Sequence, residues 1–305
     1  MNRFPFIFVF AGAICFLPFV NSPIALILGM LVSVFGQRPD HLPIAAWSKK
    51  LLSWSIIGLG FGIELKSAFA TISNSIGLIF VSIFATLGLG YLGAKLLKMD
   101  AKTGHLISSG TAICGGSAIA AVGPAIDAKP PQMSLALTTV FILNAIALFI
   151  FPPIGHALNL DQNTFGVWAA IAIHDTSSVV GAASAYGEEA LQVATTTKLS
   201  RALWIIPVAF ISGLMFRSGG KKMAIPTFIL WYIAAMIFAY LVPQLSTAYG
   251  YIFLGSKQLL VVSLFLIGST MTAEQFKQAG WRPIALGVGL WGIISVASLL
   301  YLTAP

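Results

Sequence analysis

The sequence predicts an all-α polytopic membrane protein of about ten or eleven transmembrane helices, on two observations. First, 58% of its 305 residues are hydrophobic and only 9% are charged, whereas soluble domains carry about 25% charged residues. Second, apolar runs recur along the whole chain, each near the roughly 20 residues that span a bilayer. Because lipid offers the backbone no hydrogen-bond partners, such runs fold as helices. We therefore expect one integral membrane domain over residues 1–305.

The apolar runs also indicate an orientation in the membrane. The first run follows Arg3 and resembles a signal peptide, but no small-residue cleavage site follows it, so we expect a retained helix. If the N-terminus is cytoplasmic and each run crosses once, most lysines and arginines lie inside, which predicts an external C-terminus. The net charge of +8 then reflects topology rather than nucleic-acid binding. The runs are 5–19, 22–36, 47–64, 74–98, 104–127, 131–156, 163–185, 190–216, 224–243, 252–272 and 280–302.

The run 104–127 contains a segment that is a poor helix former, GTAICGGSAIAAVGP, residues 110–124. Each glycine lowers helix stability by about 1 kcal/mol relative to alanine, and Pro124 lacks a backbone donor. Small residues also serve close helix packing in lipid, which is the alternative. A glycine pair flanked by hydroxyls favours a helix that breaks near the middle of the membrane. The candidate substrate contacts here are Thr111, Gly115, Gly116 and Ser117.

The run 163–185 contains ionisable residues at its centre, in the stretch AIHDTSSVVGAA. A charged residue at a helix centre costs roughly 2.5–3.5 kcal/mol on insertion scales, so such residues usually serve function. A buried hydrogen bond between helices is the alternative explanation. The D-T-S-S order is typical of a helix N-cap and predicts a half-helix that begins there. The candidates are His174 and Asp175 for ion coupling, and Thr176, Ser177 and Ser178 for substrate binding.

Two interrupted helices in one chain are typical of secondary transporters. In such proteins the free N–H groups and dipole ends at the breaks bind an anion near the bilayer midplane. The sequence also contains a weak internal repeat, because 51–98 resembles 259–302: Glu64 and Lys66 correspond to Glu274 and Lys277. The two copies leave the predicted membrane on opposite sides, as inverted repeats do.

The two motifs together, GTAICGGSAIAA followed by AIHDTSSVVGAA, resemble the paired signatures of the sulfate exporter family of conserved bacterial membrane proteins. The resemblance covers most of the chain and implies an inner-membrane carrier. The family is more distantly similar in architecture to sodium/proton antiporters and bile-acid symporters, which have crossing broken helices in a core domain. The resemblance supports transport more strongly than sulfate, and it carries over no functional residues. Carriers of this architecture are often homodimers.

The sequence thus predicts an exporter of a small anion, such as sulfate or an organosulfonate, coupled to protons through His174 and Asp175. The expected partners are this anion, protons or sodium, the lipid bilayer and a second copy of the chain. No cofactor, metal or nucleic acid is expected. One alternative is a sodium/proton antiporter that uses Asp175, and a channel is another. An intramembrane enzyme is disfavoured because no G-x-S-x-G or H-E-x-x-H motif occurs.

Three further polar residues lie in or beside apolar runs. We interpret Lys198 and Arg201 as anchors whose charged heads reach the membrane surface, with a cationic wall of an anion path as the alternative. Asn144 fits a hydrogen bond between helices, and it is also a candidate for lining the path.

Overall fold

The protein is helical throughout the part of the chain that the computed structural model describes, which is residues 6–17, 20, 22–35, 39, 42–216, 227–270 and 280–304. No strand occurs within these ranges, so the prediction of an all-α fold is confirmed. The helices are α1 (Phe6–Ile14), α2 (Ser22–Val34), α3 (Ile44–Leu59), α4 (Leu65–Leu96), α5 (Ala101–Ala112), α6 (Gly116–Ala125), α7 (Pro130–Ala157), α8 (Gln162–Ala172), α9 (Thr176–Tyr186), α10 (Glu188–Ala202), α11 (Ile205–Met215), α12 (Thr227–Leu241), α13 (Ser246–Thr270) and α14 (Trp281–Thr303), with 3₁₀ turns at Gly60–Gly62 and Pro243–Leu245.

Several helices have the length and composition of membrane spans. Large apolar side chains such as Phe69, Tyr251 and Trp281 are exposed on the protein surface, which in a membrane faces lipid rather than water. Each apolar run predicted from the sequence overlaps one helix or two consecutive helices. Among the described residues, five helical stretches are long and apolar enough to cross a bilayer. Two of them combine successive elements, namely α10 with α11 and the second 3₁₀ turn with α13. The stretches are Leu65–Leu96, Pro131–Ala157, Glu188–Met215, Pro243–Thr270 and Trp281–Thr303.

The chain divides into two compact units. Unit 1 comprises Met1–Ala68 and Thr227–Gln275, and unit 2 comprises Phe69–Pro226 and Phe276–Pro305. The first copy of the proposed repeat, 51–98, includes α3 and α4, and the second, 259–302, includes α13 and α14. Glu274 and Lys277 lie outside the described residues, so the repeat stays a prediction.

Unit 1 is built around α13, which packs against α2 and α3. The backbones of α2 and α13 touch: a Cβ atom added at Gly29 would overlap the carbonyl oxygen of Phe265, and one at Gly268 would overlap that of Leu26. Small residues permit this close approach. The resulting van der Waals packing stabilises helix association in lipid, where the hydrophobic effect does not. A larger side chain at either glycine would overlap the backbone of the facing helix.

Unit 2 contains both segments that the sequence analysis singled out. Helix α10 packs against α8 and α9, α7 packs against α5 and α9, and α14 packs against α5 and α8. Three of its helices begin with an aspartate N-cap, at Asp100 for α5, Asp161 for α8 and Asp175 for α9. A cap carboxylate accepts a hydrogen bond from one of the N–H groups that a helix start leaves free.

Candidate functional site

Two helix interruptions meet inside unit 2. Helix α5 ends at Ala112 and α6 begins at Gly116, whereas α8 ends at Ala172 and α9 begins at Thr176. Gly115 adopts φ 65° and ψ −122°, a backbone conformation that L side chains rarely adopt. A Cβ atom added there would lie 3.2 Å from the Cα and the Cβ of Asp175. Glycine is therefore required both by the turn and by the contact between the two breaks.

The second break is held by side chains on either side of it. The Asp175 carboxylate accepts hydrogen bonds from the backbone N–H of Ser177, at 3.0 Å, and from the Ser177 hydroxyl. The N-cap predicted from the D-T-S-S order is therefore present. The backbone N–H of Asp175 donates to Oδ1 of Asn144 on α7, at 3.1 Å. Asn144 thus lies at the break.

Lys198 of α10 is bound to the end of α8. Its side chain is fully buried, and its Nζ donates to the carbonyl oxygens of Ala170, at 3.2 Å, and Ile173, at 2.8 Å. The last carbonyls of a helix have no partner within that helix and carry its negative dipole end. The Lys198 ammonium group donates hydrogen bonds to these carbonyls and places a positive charge beside the negative end of the helix dipole.

Arg201 lies one turn further along α10 and joins the two breaks to each other. Its Nε donates to the carbonyl oxygen of Ala112 at the end of α5, at 2.7 Å, and its Nη1 donates to that of Ile171 at the end of α8. Arg201 is also fully buried. The interpretation of Lys198 and Arg201 as anchors at the membrane surface is wrong, because both charged heads bind helix ends inside the protein.

Several buried polar atoms around the breaks have no hydrogen-bond partner. Such atoms are rare in proteins, and each calls for an explanation such as a bound ligand or water. His174 is 1% exposed, and neither of its ring nitrogens is hydrogen-bonded. In the described part of unit 2 the group includes Ser109 Oγ, Thr111 Oγ1, Asn144 Nδ2, His174 Nδ1 and Nε2, Thr197 Oγ1 and Arg201 Nη2.

The other predicted site residues lie in the helix turns next to the breaks. Thr111 is buried in the last turn of α5, and Gly116 and Ser117 are half-buried in the first turn of α6. The first turn of α9 contains the remaining three, which are buried: Thr176, Ser177 and Ser178.

The structure adds Ser109 and Thr197, which the sequence analysis did not select, and it places Lys198 at the end of α8 rather than at the membrane surface. The signal for the two on α10 was present in the stretch TTTKLSR, residues 195–201. A lysine and an arginine three residues apart lie on one face of a helix. Thr195, three residues before Lys198, and Thr197, four before Arg201, lie on the same face and make it polar. In a membrane a polar face packs inside the protein.

Comparisons with known proteins give the family. A family model described as "Conserved hypothetical protein 698" matches residues 11–287. The chain belongs to this family. It is 59% identical over 296 residues to a UPF0324 membrane protein of Photobacterium profundum, covering 97% of this chain and 91% of the relative.

Two further relatives show the same extent of similarity. A UPF0324 membrane protein of Vibrio parahaemolyticus is 59% identical over 307 residues, covering 99% of each chain. Another from Shewanella oneidensis is 54% identical over 296 residues, covering 97% of this chain and 94% of the relative. No solved structure matches the chain. These names describe membrane proteins, in agreement with the multi-pass fold, and they state no substrate.

Proposed function

We propose that this family member is a secondary active transporter that exports a small anion, such as sulfate or an organosulfonate, and holds it where the two helix breaks meet. In this proposal the protein lies in the bacterial inner membrane as a homodimer, with a cytoplasmic N-terminus and an external C-terminus. It works without a cofactor and is not an enzyme. We include in this proposal that the protein is similar to sulfate exporters and, distantly, to bile-acid symporters.

The guanidinium group of Arg201 is the observation that carries the proposal. Burying a permanent cation is expensive unless its donors are satisfied. Arg201 places two of its nitrogens on carbonyls of the two breaks, Ala112 and Ile171, and leaves Nη2 without a partner among the described residues. A buried guanidinium nitrogen with open N–H donors is suited to bind an oxygen of an oxyanion, because charge-assisted hydrogen bonds are the strong ones.

The lengths of the four short helices support a site at membrane depth. Helices α5, α6, α8 and α9 have 12, 10, 11 and 11 residues. At 1.5 Å per residue each is about 15–18 Å long, roughly half of the 30 Å hydrocarbon core. Two of them in succession cross a bilayer, and the break between them then lies near its midplane. We propose that each pair acts as one discontinuous membrane helix.

The chemistry of the unpartnered atoms favours an anion over a sodium ion. Arg201 Nη2 and Asn144 Nδ2 can only donate hydrogen bonds, and the hydroxyls nearby can also donate. Sodium, like other hard cations, needs several carbonyl or carboxylate oxygens. The carbonyls at the helix ends are already bound by Lys198 and Arg201, and one oxygen of the Asp175 carboxylate, Oδ2, is bound by Ser177. The sodium/proton antiporter therefore has less support than the anion carrier.

Thermal stability of the purified protein against a panel of anions is the first test. A ligand that binds only the folded state stabilises it by about 2.7 kcal/mol at 100 times its Kd. We expect sulfate or a small sulfonate to raise the unfolding temperature in a concentration-dependent way. A response to sodium, with none to any anion, would instead select the antiporter.

The matched variants are Thr111→Val and Thr139→Val, which remove one buried hydroxyl each without changing side-chain volume. Thr111 Oγ1 has no partner, so its loss leaves the fold intact and removes only a contact to the anion. Thr139 Oγ1 donates to the carbonyl of Leu135 in its own helix, at 2.9 Å. We expect the anion response, and anion flux in proteoliposomes, to fall in Thr111→Val and to persist in Thr139→Val. Equal responses in both variants would remove the breaks from the proposed site.

A further inference from the structure

The two helices that begin at the breaks differ in how their starts are capped. Helix α9 begins after Asp175, whose carboxylate accepts a hydrogen bond from the N–H of Ser177 at 3.0 Å. Helix α6 begins after Gly115, which has no side chain that could do the same. The first N–H groups of a helix have no partner within it, and in α6 these belong to Gly116 and Ser117. The start of α6 therefore lacks the capping carboxylate that α9 has.

The start of α6 is also the more accessible of the two. Gly116 and Ser117 are half-buried, whereas the first turn of α9 is buried. The start of a helix attracts anions, because its N–H groups and the positive end of its dipole point at the ligand. Of the two starts, that of α6 is thus the better placed to receive an anion from outside the chain.

Unpartnered donors from two other helices lie beside the start of α6. The Ala118 N–H donates to the sulfur of Cys114, and the Arg201 guanidinium is close enough to interact with this thiol electrostatically. Arg201 also binds the carbonyl of Ala112, two residues before Cys114, at 2.7 Å. Arg201 Nη2 and Thr111 Oγ1 are fully buried and have no partner among the described residues. A thiol is a weak acceptor, so the sulfur is a poor substitute for an anion at this point.

One carboxylate lies close to the same point. Asp175 also interacts electrostatically with the Cys114 thiol, and its Cα and Cβ approach Gly115. Its Oδ2 is held at the start of α9 by Ser177. An anion at the start of α6 thus lies beside Asp175, and a negative charge on Asp175 would oppose its binding.

We propose that the transported anion places its charged group at the start of α6, next to the Cys114 sulfur. There it accepts hydrogen bonds from the N–H groups of Gly116 and Ser117 and from Nη2 of Arg201. The start of α9, which Asp175 caps, does not bind it. This inference rests on the proposed anion carrier and specifies which of the two breaks holds the substrate. A helix start and a guanidinium group both favour an anion, and they meet only at this break.

Two substitutions of Cys114 test the assignment. Cys114→Asp introduces a carboxylate that can accept from the Ala118 N–H and fills the site from within the chain. Cys114→Ser keeps a small uncharged side chain. The probe is whichever of sulfate and methanesulfonate stabilises the purified full-length wild type more. We expect it to raise the unfolding temperature of Cys114→Ser and to have no effect on Cys114→Asp. Equal shifts in both variants overturn the assignment but leave the anion carrier standing.

Alkylation of the wild type is a second measurement that needs no substitution. The chain has two cysteines, both buried, and Cys15 lies in unit 1. A small thiol reagent is added with and without the same anion, and mass spectrometry reads the modification of each cysteine. At ten times its Kd the anion should slow modification of Cys114 about tenfold, because only the unoccupied site reacts. Cys15 should react at the same rate. No protection of Cys114, or equal protection of both, overturns the assignment.

A third variant, Asp175→Asn, tests the neighbouring carboxylate. Asparagine caps helices as well as aspartate does, so α9 keeps its start while the carboxylate beside the site is removed. The anion should bind at least as tightly as to the wild type, and a tenfold loss of affinity would overturn the assignment. A wild type that neither sulfate nor methanesulfonate stabilises overturns the proposed carrier, and this inference with it.

Discussion

Replacing Gly115 by alanine is the most direct perturbation of the contact between the two breaks. Gly115 has φ 65°, and a residue with a side chain held in such a conformation costs about 1–3 kcal/mol. The added Cβ would also lie 3.2 Å from two carbon atoms of Asp175, so the breaks must move apart by a few tenths of an ångström. Both effects destabilise the folded state, and we expect its free energy of unfolding to fall by about 1–3 kcal/mol.

The assay is denaturant-induced unfolding of the purified protein in a mild detergent, with Gly88→Ala as the control. Gly88 lies in α4, and a Cβ added there has nothing within 4 Å. In a helix interior alanine is favoured over glycine by about 1 kcal/mol, so the control should be as stable as the wild type or more so. The reasoning is refuted if Gly115→Ala unfolds at the same denaturant concentration as the wild type. It is equally refuted if both variants lose stability to the same extent.

Two further predictions concern packing and charge. Gly29→Ala places a Cβ on the carbonyl oxygen of Phe265 and should lower the free energy of unfolding by about 1–3 kcal/mol. The control Gly250→Ala, whose Cβ has no neighbour within 4 Å, should not lower it. Equal melting temperatures for the two variants would contradict this packing. Hydrogen bonds from the Thr164 backbone and hydroxyl hold the pKa of Asp161 below its ordinary value, so its carboxylate stabilises the fold above pH ~3.9 and loses that effect as the pH falls through the folded pKa. The advantage of wild type over Asp161→Asn, at most about 1 kcal/mol for so exposed a group, should therefore vanish in acid unfolding curves, and its persistence at pH ~2 would contradict the assignment.

The helices and the start of α9 at the second break could be predicted from the sequence, because their signals are local. Apolar runs determine where spans lie, and an aspartate followed by hydroxyl residues indicates a helix start wherever it occurs, which is why Asp175 was identified as an N-cap before its partners were known. The glycine pair at Gly115 and Gly116 also indicated a weak point in a helix. These features depend on a few neighbouring residues and on no distant contact.

The roles of Lys198 and Arg201 were not predictable in the same way. In a membrane protein, a cationic side chain near a helix end can extend to the membrane surface or bind the carbonyl end of another helix. The choice depends on whether Ala112 and Ile171, which lie 89 and 30 residues away in sequence, are brought to α10. That is a property of the packed unit, so the polar face of residues 195–201 indicates burial but does not identify these partners.

The order of elements along the chain affects how unit 1 is made in the cell. Helices α2 and α3 are synthesised early, whereas α13, which packs between them, begins only at Ser246. Roughly 190 residues separate Leu59 from Ser246, and at about 5–20 residues per second the ribosome needs roughly 10–40 s to add them. During that interval the Gly29 face of α2 lacks its α13 partner. The residues of the breaks and their cations, all between 101 and 201, are synthesised before that helix appears, whereas α14, which packs against α5 and α8, is synthesised last.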